Sequence, residues 1–332
     1  MTFQAVPKLL LDTDPGGDDI FALLWLLSLV NQGRAELVAV TTTQGNVAAA
    51  QTFANASQVL NLAGYGSVPL GRGVLLSQGS EDASHIHGSD GMGYLSQTLP
   101  PPSHEFAIAP AADDLLIEQL SANPGEITLI AIGPLTNLAA AEAKRPGILQ
   151  QARELVVMAG AIQGPGNVTA QAEFNVWFNP EAAQVVFNSR NDVVMLPLDV
   201  TRQLVFTETM ATLVAQTRPE HPLAHFLVNL CQFMVSTARQ YRETAGSPGF
   251  LVHDAATLGY LFYPETLLLR RATVQVETQG ELTRGQTLID RRHKPKPRAN
   301  AWVALEVDAP NFLASVVADL QQLLRHHYSH DA

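Results

Sequence analysis

The run Asp12-Thr13-Asp14-Pro15-Gly16-Gly17-Asp18-Asp19 places four carboxylates within eight residues, directly after the apolar Leu9-Leu10-Leu11. Like charges this crowded repel one another unless a cation or a set of hydrogen-bond donors absorbs them. Helix capping accounts for one carboxylate and leaves the rest to be explained. A path from strand through turn to helix would aim several of these oxygens at one point. Clustered oxygen ligands suit a hard divalent cation such as Ca²⁺ or Mg²⁺.

Further polar clusters stand where other apolar runs end: Gln44 with Asn46, the segment Asn167–Asn175, and His253-Asp254. The elements that must position them can be read from periodicity. Lys8–Leu11 is a strand, and Asp18-Asp19 opens an apolar helix whose N-terminal dipole tolerates acids. Leu37–Thr42, Ile127–Ile132, Glu154–Met158 and Val193–Leu196 are buried strands. Helices follow at Ala48–Ala63, Leu135–Ala143 and Pro180–Asn188.

Alternation of this kind predicts an α/β fold with a mostly parallel, Rossmann-like central sheet flanked by helices. Past Asp199 the chain turns mainly helical, near Pro222–Arg242 and Asp254–Leu261. A small antiparallel strand pair is expected from Val274/Val276 and Trp302–Val307, and a closing helix over about 310–325. In open α/β sheets ligands bind outside the carboxyl ends of the strands, so clusters far apart in sequence would converge there. With no repeat and no low-complexity linker, one domain over 1–332 is the expectation.

Composition narrows the function classes. The chain has 332 residues, 46% hydrophobic and 15% charged, which describes a globular protein with a large core. A net charge of −11 argues against nucleic acid as a partner. The single cysteine, Cys231, excludes an internal disulfide or a cysteine zinc cluster. Met1–Pro7 lacks a basic leader, and the apolar stretch Ile20–Val30 is about half the ~20 residues a membrane span needs. A soluble cytoplasmic protein with no membrane partner is therefore expected. The basic run from Arg291 to Arg298 contains two prolines and reads as a solvated hairpin loop.

The acidic turn resembles the amino-terminal signature of the nucleoside hydrolases, the inosine–uridine-preferring nucleoside hydrolase family. Thr42-Thr43-Gln44-Gly45-Asn46, His87-Gly88-Ser89-Asp90-Gly91, Gly133-Pro134-Leu135-Thr136-Asn137, Asn167 with Glu173-Phe174-Asn175, and His253-Asp254 recur in the family's order over roughly residues 8–310. Each is weakly specific alone, but the ordered set is strong.

The resemblance implies hydrolysis of the N-glycosidic bond of ribonucleosides to ribose and free base. It implies one Ca²⁺ held by Asp14, Asp19, Asp254 and the Ile132 carbonyl, with Asp14 also the general base toward a metal-activated water. Asp18 would bind the ribose 2′-hydroxyl, Asn46 and Asn175 would line the sugar pocket, and Asn167 and Glu173 would hold its 5′ end. His253, able to titrate near neutrality, would be the leaving-group acid, with His87 on a flap near the base. Histidine before the last aspartate, where another branch carries tryptophan, resembles the inosine–uridine or pyrimidine-preferring branches. The family also implies a homo-oligomer, a dimer or tetramer, and a role in nucleoside salvage. His85 is read as loop, Glu81, Asp82 and Asp90 as an exposed loop, and Phe226, Cys231, Phe233 and Tyr241 as core, with the base expected to be touched from around His87 and from the helical region of about 222–242, which could approach its pocket.

Two other readings remain at this stage. Asp12-x-Asp14 after a strand is similar to haloacid-dehalogenase-like Mg²⁺-dependent phosphohydrolases, although Gly16 and the scarcity of lysine fit that pattern poorly. A non-catalytic nucleoside-binding protein on the same fold is the second.

Overall fold

Leu9 and Leu11 enter one hydrophobic core and Leu10 another; Val156 and Met158 alternate with Leu155 and Val157 in the same way. Strands buried on both faces carry apolar residues throughout, which is why they read as continuous runs. In the computed structural model, which describes residues 6–75, 81–290, 292 and 298–326, the strands are β1 (Lys8–Thr13), β2 (Glu36–Thr42), β3 (Leu70–Gly71), β4 (Ile127–Ala131), β5 (Glu154–Met158), β6 (Val193–Leu196), β7 (Val205–Phe206), β8 (Phe250–Leu251), β9 (Leu267–Ala272), β10 (Val274–Val276), β11 (Thr287–Ile289) and β12 (Ala301–Val307). Eight of them form one sheet in the order β3-β2-β1-β4-β5-β6-β12-β9. Every neighbour pair in it is parallel except β9 on β12.

That order fixes the place of the site. After β1 the chain steps outward to β2 and β3, then returns to lay β4 on the other side of β1. The crevice between the carboxyl ends of β1 and β4 is therefore the topological switch point, where open α/β sheets bind ligands. The acidic turn follows β1, and Ile132 follows β4.

Two expectations need correction. The expected small antiparallel pair is present, but with another partner: β10 pairs antiparallel with β11 and not with the stretch around Trp302, while β12 joins the main sheet between β6 and β9. Alternation reveals a half-buried strand but not its partner, which the loops decide. Asp12 belongs to β1 itself and not to the turn. It is fully buried and accepts from Thr41 Oγ1 at 2.6 Å and Asn137 Nδ2 at 2.7 Å. Among the basic residues after β11, Arg292 is exposed and pairs with Asp290, whereas Arg291 and residues 293–297 lie outside the described residues.

The helix Gly17–Asn31 is buried along almost its whole length and packs on the helices Ala255–Phe262 and Ala309–His326. No helix among the described residues is long and apolar enough to cross a membrane. A polar hub joins this helix to the closing one. Asp319, only 4% exposed, accepts from Trp25 Nε1 at 2.8 Å, Tyr263 Oη at 2.7 Å, Gln32 Nε2 at 3.2 Å and Arg34 Nη1 at 3.3 Å. Its backbone carbonyl takes the Ser28 hydroxyl. Removing the carboxylate would leave the Trp25 N–H buried without a partner and would take the acceptor from the half-buried Tyr263 hydroxyl, which keeps Arg34. Asp319→Ala should cost about 3 kcal/mol, read as a lowered urea midpoint at unchanged slope; an unchanged midpoint would contradict it.

Candidate active site

The turn after β1 is held by its own last acid. Asp19 accepts from Thr13 Oγ1 at 2.6 Å and from the backbone N–H groups of Asp14 and Gly16, both at 3.1 Å. It thereby closes the turn back onto the start of the helix. Asn46, from the segment after β2, donates from Nδ2 to Asp19 Oδ2 at 2.9 Å and to the Asp14 carbonyl at 3.0 Å; its backbone N–H reaches Asp14 Oδ2 at 2.8 Å. Asn46 is thus first a brace for the acids, with its side-chain oxygen left to offer a ligand.

Across this turn stands Asp254, brought from far along the chain by the short segment after β8. One carboxylate oxygen from each of Asp18, Asp19 and Asp254 lies within 4.8 Å of the others. Asp14 faces the same cavity, its carboxylate set between Gly45 and Gly133. Burial, then repulsion from Asp19, pushes the carboxyls of Asp14 and Asp18 well above the usual carboxylate range. Asp254 is raised likewise, by burial and then by Asp18, Asp19 and Asp14. Asp19 is raised least forcefully, since its hydrogen bonds oppose the burial. Oxygen donors gathered in this way and destabilised as anions fit a hard dication, whose charge reverses the balance.

The cavity holds about 820 Å³. On a second wall, Glu173 caps the helix Phe174–Phe178, accepting from Asn175 N at 2.7 Å, Val176 N at 3.1 Å and Gly160 N at 2.8 Å. Asn175 donates through Nδ2 to the carbonyls of Ile132 at 2.8 Å and Met158 at 3.1 Å, so its own side-chain oxygen is what remains for a ligand. Asn167, more exposed, accepts the Phe174 N–H at 2.9 Å. All four clusters read from the sequence therefore reach one cavity, except that Asp12 and Gln44 do not line it.

His253 and His87 line the cavity too, but in a protonation state that the sequence does not suggest. His253 is pushed down to about 3 by burial, then by the charges of Arg202 and His87. His87 is pushed down to about 4 by burial, then by His85. Both rings are neutral near pH 7, in contrast to a group titrating near neutrality. His87 Nδ1 accepts the Gly17 N–H at 2.9 Å, so its neutral ring carries the proton on Nε2. His253 Nδ1 lies 2.7 Å from Thr201 Oγ1.

Several lining residues escaped the sequence reading. His85 is not plain loop: it meets Tyr241 edge to face at 5.4 Å, and both line the cavity with Ile86 and Met234. Tyr241 is 43% exposed and so is not core, unlike Phe226 and Cys231, which are buried. Glu81 and Asp82 also reach the cavity, and Asp90 ties its own loop by accepting from Met92, Tyr94 and Ser96 N–H groups. Arg202, Trp177 and Glu243 carried no motif signal. The spacing of Tyr241 from Met234 on one helix, seven residues, could have marked a shared face.

A family model described as inosine-uridine preferring nucleoside hydrolase matches residues 9–314. Over 319 residues the chain is 35% identical to a probable uridine nucleosidase 1 of Oryza sativa subsp. japonica, covering 93% of this chain and 95% of the relative. It is 34% identical to an inosine-uridine preferring nucleoside hydrolase of Leishmania major, covering 95% and 98%. Among solved structures, a purine-preferring ribonucleoside hydrolase from Gardnerella vaginalis superposes with a TM-score of 0.86 at 28% identity, covering 95% of this chain and 98% of that one.

Proposed function

The chain belongs to the inosine-uridine preferring nucleoside hydrolases, hydrolases of nucleoside N-glycosyl bonds, and from that premise we propose that it is a Ca²⁺-dependent ribonucleoside hydrolase acting first on uridine and inosine. The observation that supports this most directly is the meeting of Asp18, Asp19 and Asp254, from segments more than 200 residues apart, in one cavity with Asp14, Asn46, Asn175 and Glu173.

Asp14, Asp19, Asp254 and the Ile132 carbonyl would hold the cation, with Asp18, the least buried of the acids, turned to a ribose hydroxyl. When bound, a dication supplies Lewis acidity that lowers the pKa of a water. Asp14, fixed by the Asn46 N–H, accepts the proton as general base. Asn175 and Asn46 offer carbonyl oxygens to the sugar hydroxyls, and Asn167 and Glu173 take the 5′ end. As the glycosidic bond lengthens, positive charge grows on the ribose ring, and the surrounding carboxylates stabilise it. The departing base gains negative charge. The neutral imidazoles of His253 and His87 answer with N–H hydrogen bonds that strengthen as that charge develops. His85, Tyr241, Ile86 and Met234 give the base an aromatic and apolar wall. Uridine and inosine are favoured because relatives at 34–35% identity carry those names.

Base release from uridine, inosine, cytidine, adenosine and guanosine tests the reading. Chelation should lower the rate at least about 100-fold and added Ca²⁺ should restore it. Because the acids bind protons when no cation is present, Ca²⁺ binding should expel protons and tighten as pH rises. Calorimetry in two buffers of different ionisation enthalpy reads that release. A calcium-loaded, folded protein that cleaves none of the five would overturn the proposal.

A further inference from the structure

The single turn after β6 touches two different walls of the cavity. Asp199 accepts three consecutive backbone N–H groups: Ile162 at 2.7 Å on one oxygen, Gln163 at 2.7 Å and Gly164 at 3.1 Å on the other. Arg202 continues along the same loop, donating from Nη1 to the Pro165 carbonyl and from Nη2 to the Gly166 carbonyl, both at 2.7 Å. Residues 162–166 are thus gripped one after another by an anion that takes donors and a cation that supplies them. Between the two, Thr201 places Oγ1 at 2.7 Å from His253 Nδ1. The turn itself is tied down by Leu198 N on the Gly160 carbonyl at 2.9 Å.

Gln163, Gly164 and Pro165 are exposed, so water could satisfy their backbone groups as well as these side chains do. The grip therefore does not rescue buried polar atoms. What it changes is the freedom of a segment containing two glycines, where holding each residue in one conformation costs backbone entropy. The segment leads directly into Asn167, and Gly160 at its start gives its N–H to Glu173. Of the two residues assigned to the ribose 5′ end, Asn167 is therefore one end of the clamped loop and Glu173 is hydrogen-bonded to the other end, Gly160.

We propose that Asp199, Thr201 and Arg202 are positioning residues of one unit: the Asp199–Arg202 clamp sets the 5′-hydroxyl subsite through loop 160–167, and Thr201 orients His253 at the leaving group. Neither Asp199 nor Arg202 needs to touch substrate for this. The inference rests on the reading of Asn167 and Glu173 as partners of the 5′-hydroxyl. It makes the preference for a 5′-hydroxyl depend on side chains that act through the loop backbone, Asp199 behind it and Arg202 at the cavity wall.

The experiment compares uridine with 5′-deoxyuridine in the calcium-loaded wild type, Arg202→Met, Arg202→Lys and Asp199→Asn, with melting temperature as a check on folding. The wild type should prefer uridine. Arg202→Met should lose about 30-fold in kcat/KM on uridine but no more than about twofold on 5′-deoxyuridine. Arg202→Lys, which reaches one carbonyl in place of two, should recover part of the loss, and Asp199→Asn should show the same selective pattern. In a second arm, Thr201→Val should lower kcat on uridine about tenfold yet leave a nitrophenyl β-riboside, whose leaving group needs no hydrogen bond, nearly unchanged. Equal losses on both sugars, in a wild type that does distinguish them, overturn the clamp. A Thr201→Val loss shared by the nitrophenyl riboside overturns the orientation of His253. A wild type that cleaves both sugars alike overturns the clamp together with the assignment of Asn167 and Glu173.

Discussion

Replacing Asp14 by Asn should leave a folded protein that hydrolyses nucleosides at least about 10⁴-fold more slowly in kcat/KM, the scale on which an essential member of a catalytic unit counts. The substitution keeps shape and volume. An amide oxygen can still accept the Asn46 N–H that the carboxylate takes at 2.8 Å, so the turn keeps its brace. What disappears is the negative charge and the proton acceptor. Both matter at once, because Asp14 is assigned to the cation and to the general base together. Calcium affinity should fall alongside the rate, which separates this outcome from the loss of a base alone. The protein should also melt no lower than the wild type without calcium, since burial holds the wild-type carboxyl well above the usual carboxylate range and so favours its neutral form there. Activity within tenfold of the wild type would sink the assignment.

How much of this was legible beforehand differs by kind of residue. The strand ends announced themselves, because an apolar run that stops at Asp14, Asn46 or Ile132 leaves its polar neighbours at the edge of the sheet whatever the remaining topology. The α/β alternation then brought those ends to one side. Asp12 was misplaced by two residues of strand: sequence spacing does not say where β1 stops, and the partners that bury its carboxylate, Thr41 and Asn137, come from two other segments. The order β3-β2-β1-β4, which makes the switch point, was equally invisible. The region around His87 and the helix near 222–242 were expected at the base, but His85 was read as loop and Tyr241 as core, because their approach depends on how a short helix and the end of a long one meet across the cavity mouth. Arg202 and Asp199 left no trace for another reason. Their partners are backbone N–H and C=O groups, which every residue carries, so no pattern of side chains marks them. The histidines were found but their state was not, since burial, which moves both down to about 3 and 4, is a property of the folded surroundings.

The backbone on either side of Asp14 carries a second large effect. Gly133→Ala should lower kcat/KM about 100-fold, the scale expected when a reacting group is displaced by roughly 1 Å. Gly133 does not have a positive φ, so alanine is allowed there by the chain itself and any effect must come from neighbours. An added methyl would overlap the Asp14 carboxylate and stand 2.9 Å from Thr43 Cγ2. Both neighbours are buried and hydrogen-bonded into the end of the sheet, so neither can yield cheaply. On the other side, a methyl on Gly45 would overlap the same carboxylate and stand 2.9 Å from Pro134 Cδ. Asp14 thus lies in a slot between the segments after β2 and β4, and two glycines are what make the slot wide enough. A slot of this width keeps a repelled carboxylate from swinging away from Asp19 when no cation is bound, so the site is ready-made and not assembled by its ligand. Gly133→Ala and Gly45→Ala should therefore lose activity and calcium affinity together while the melting temperature of the calcium-free protein falls by only a few degrees. A Gly133→Ala protein with wild-type rate and calcium affinity would show that the carboxylate has room to move and that the slot does not hold it.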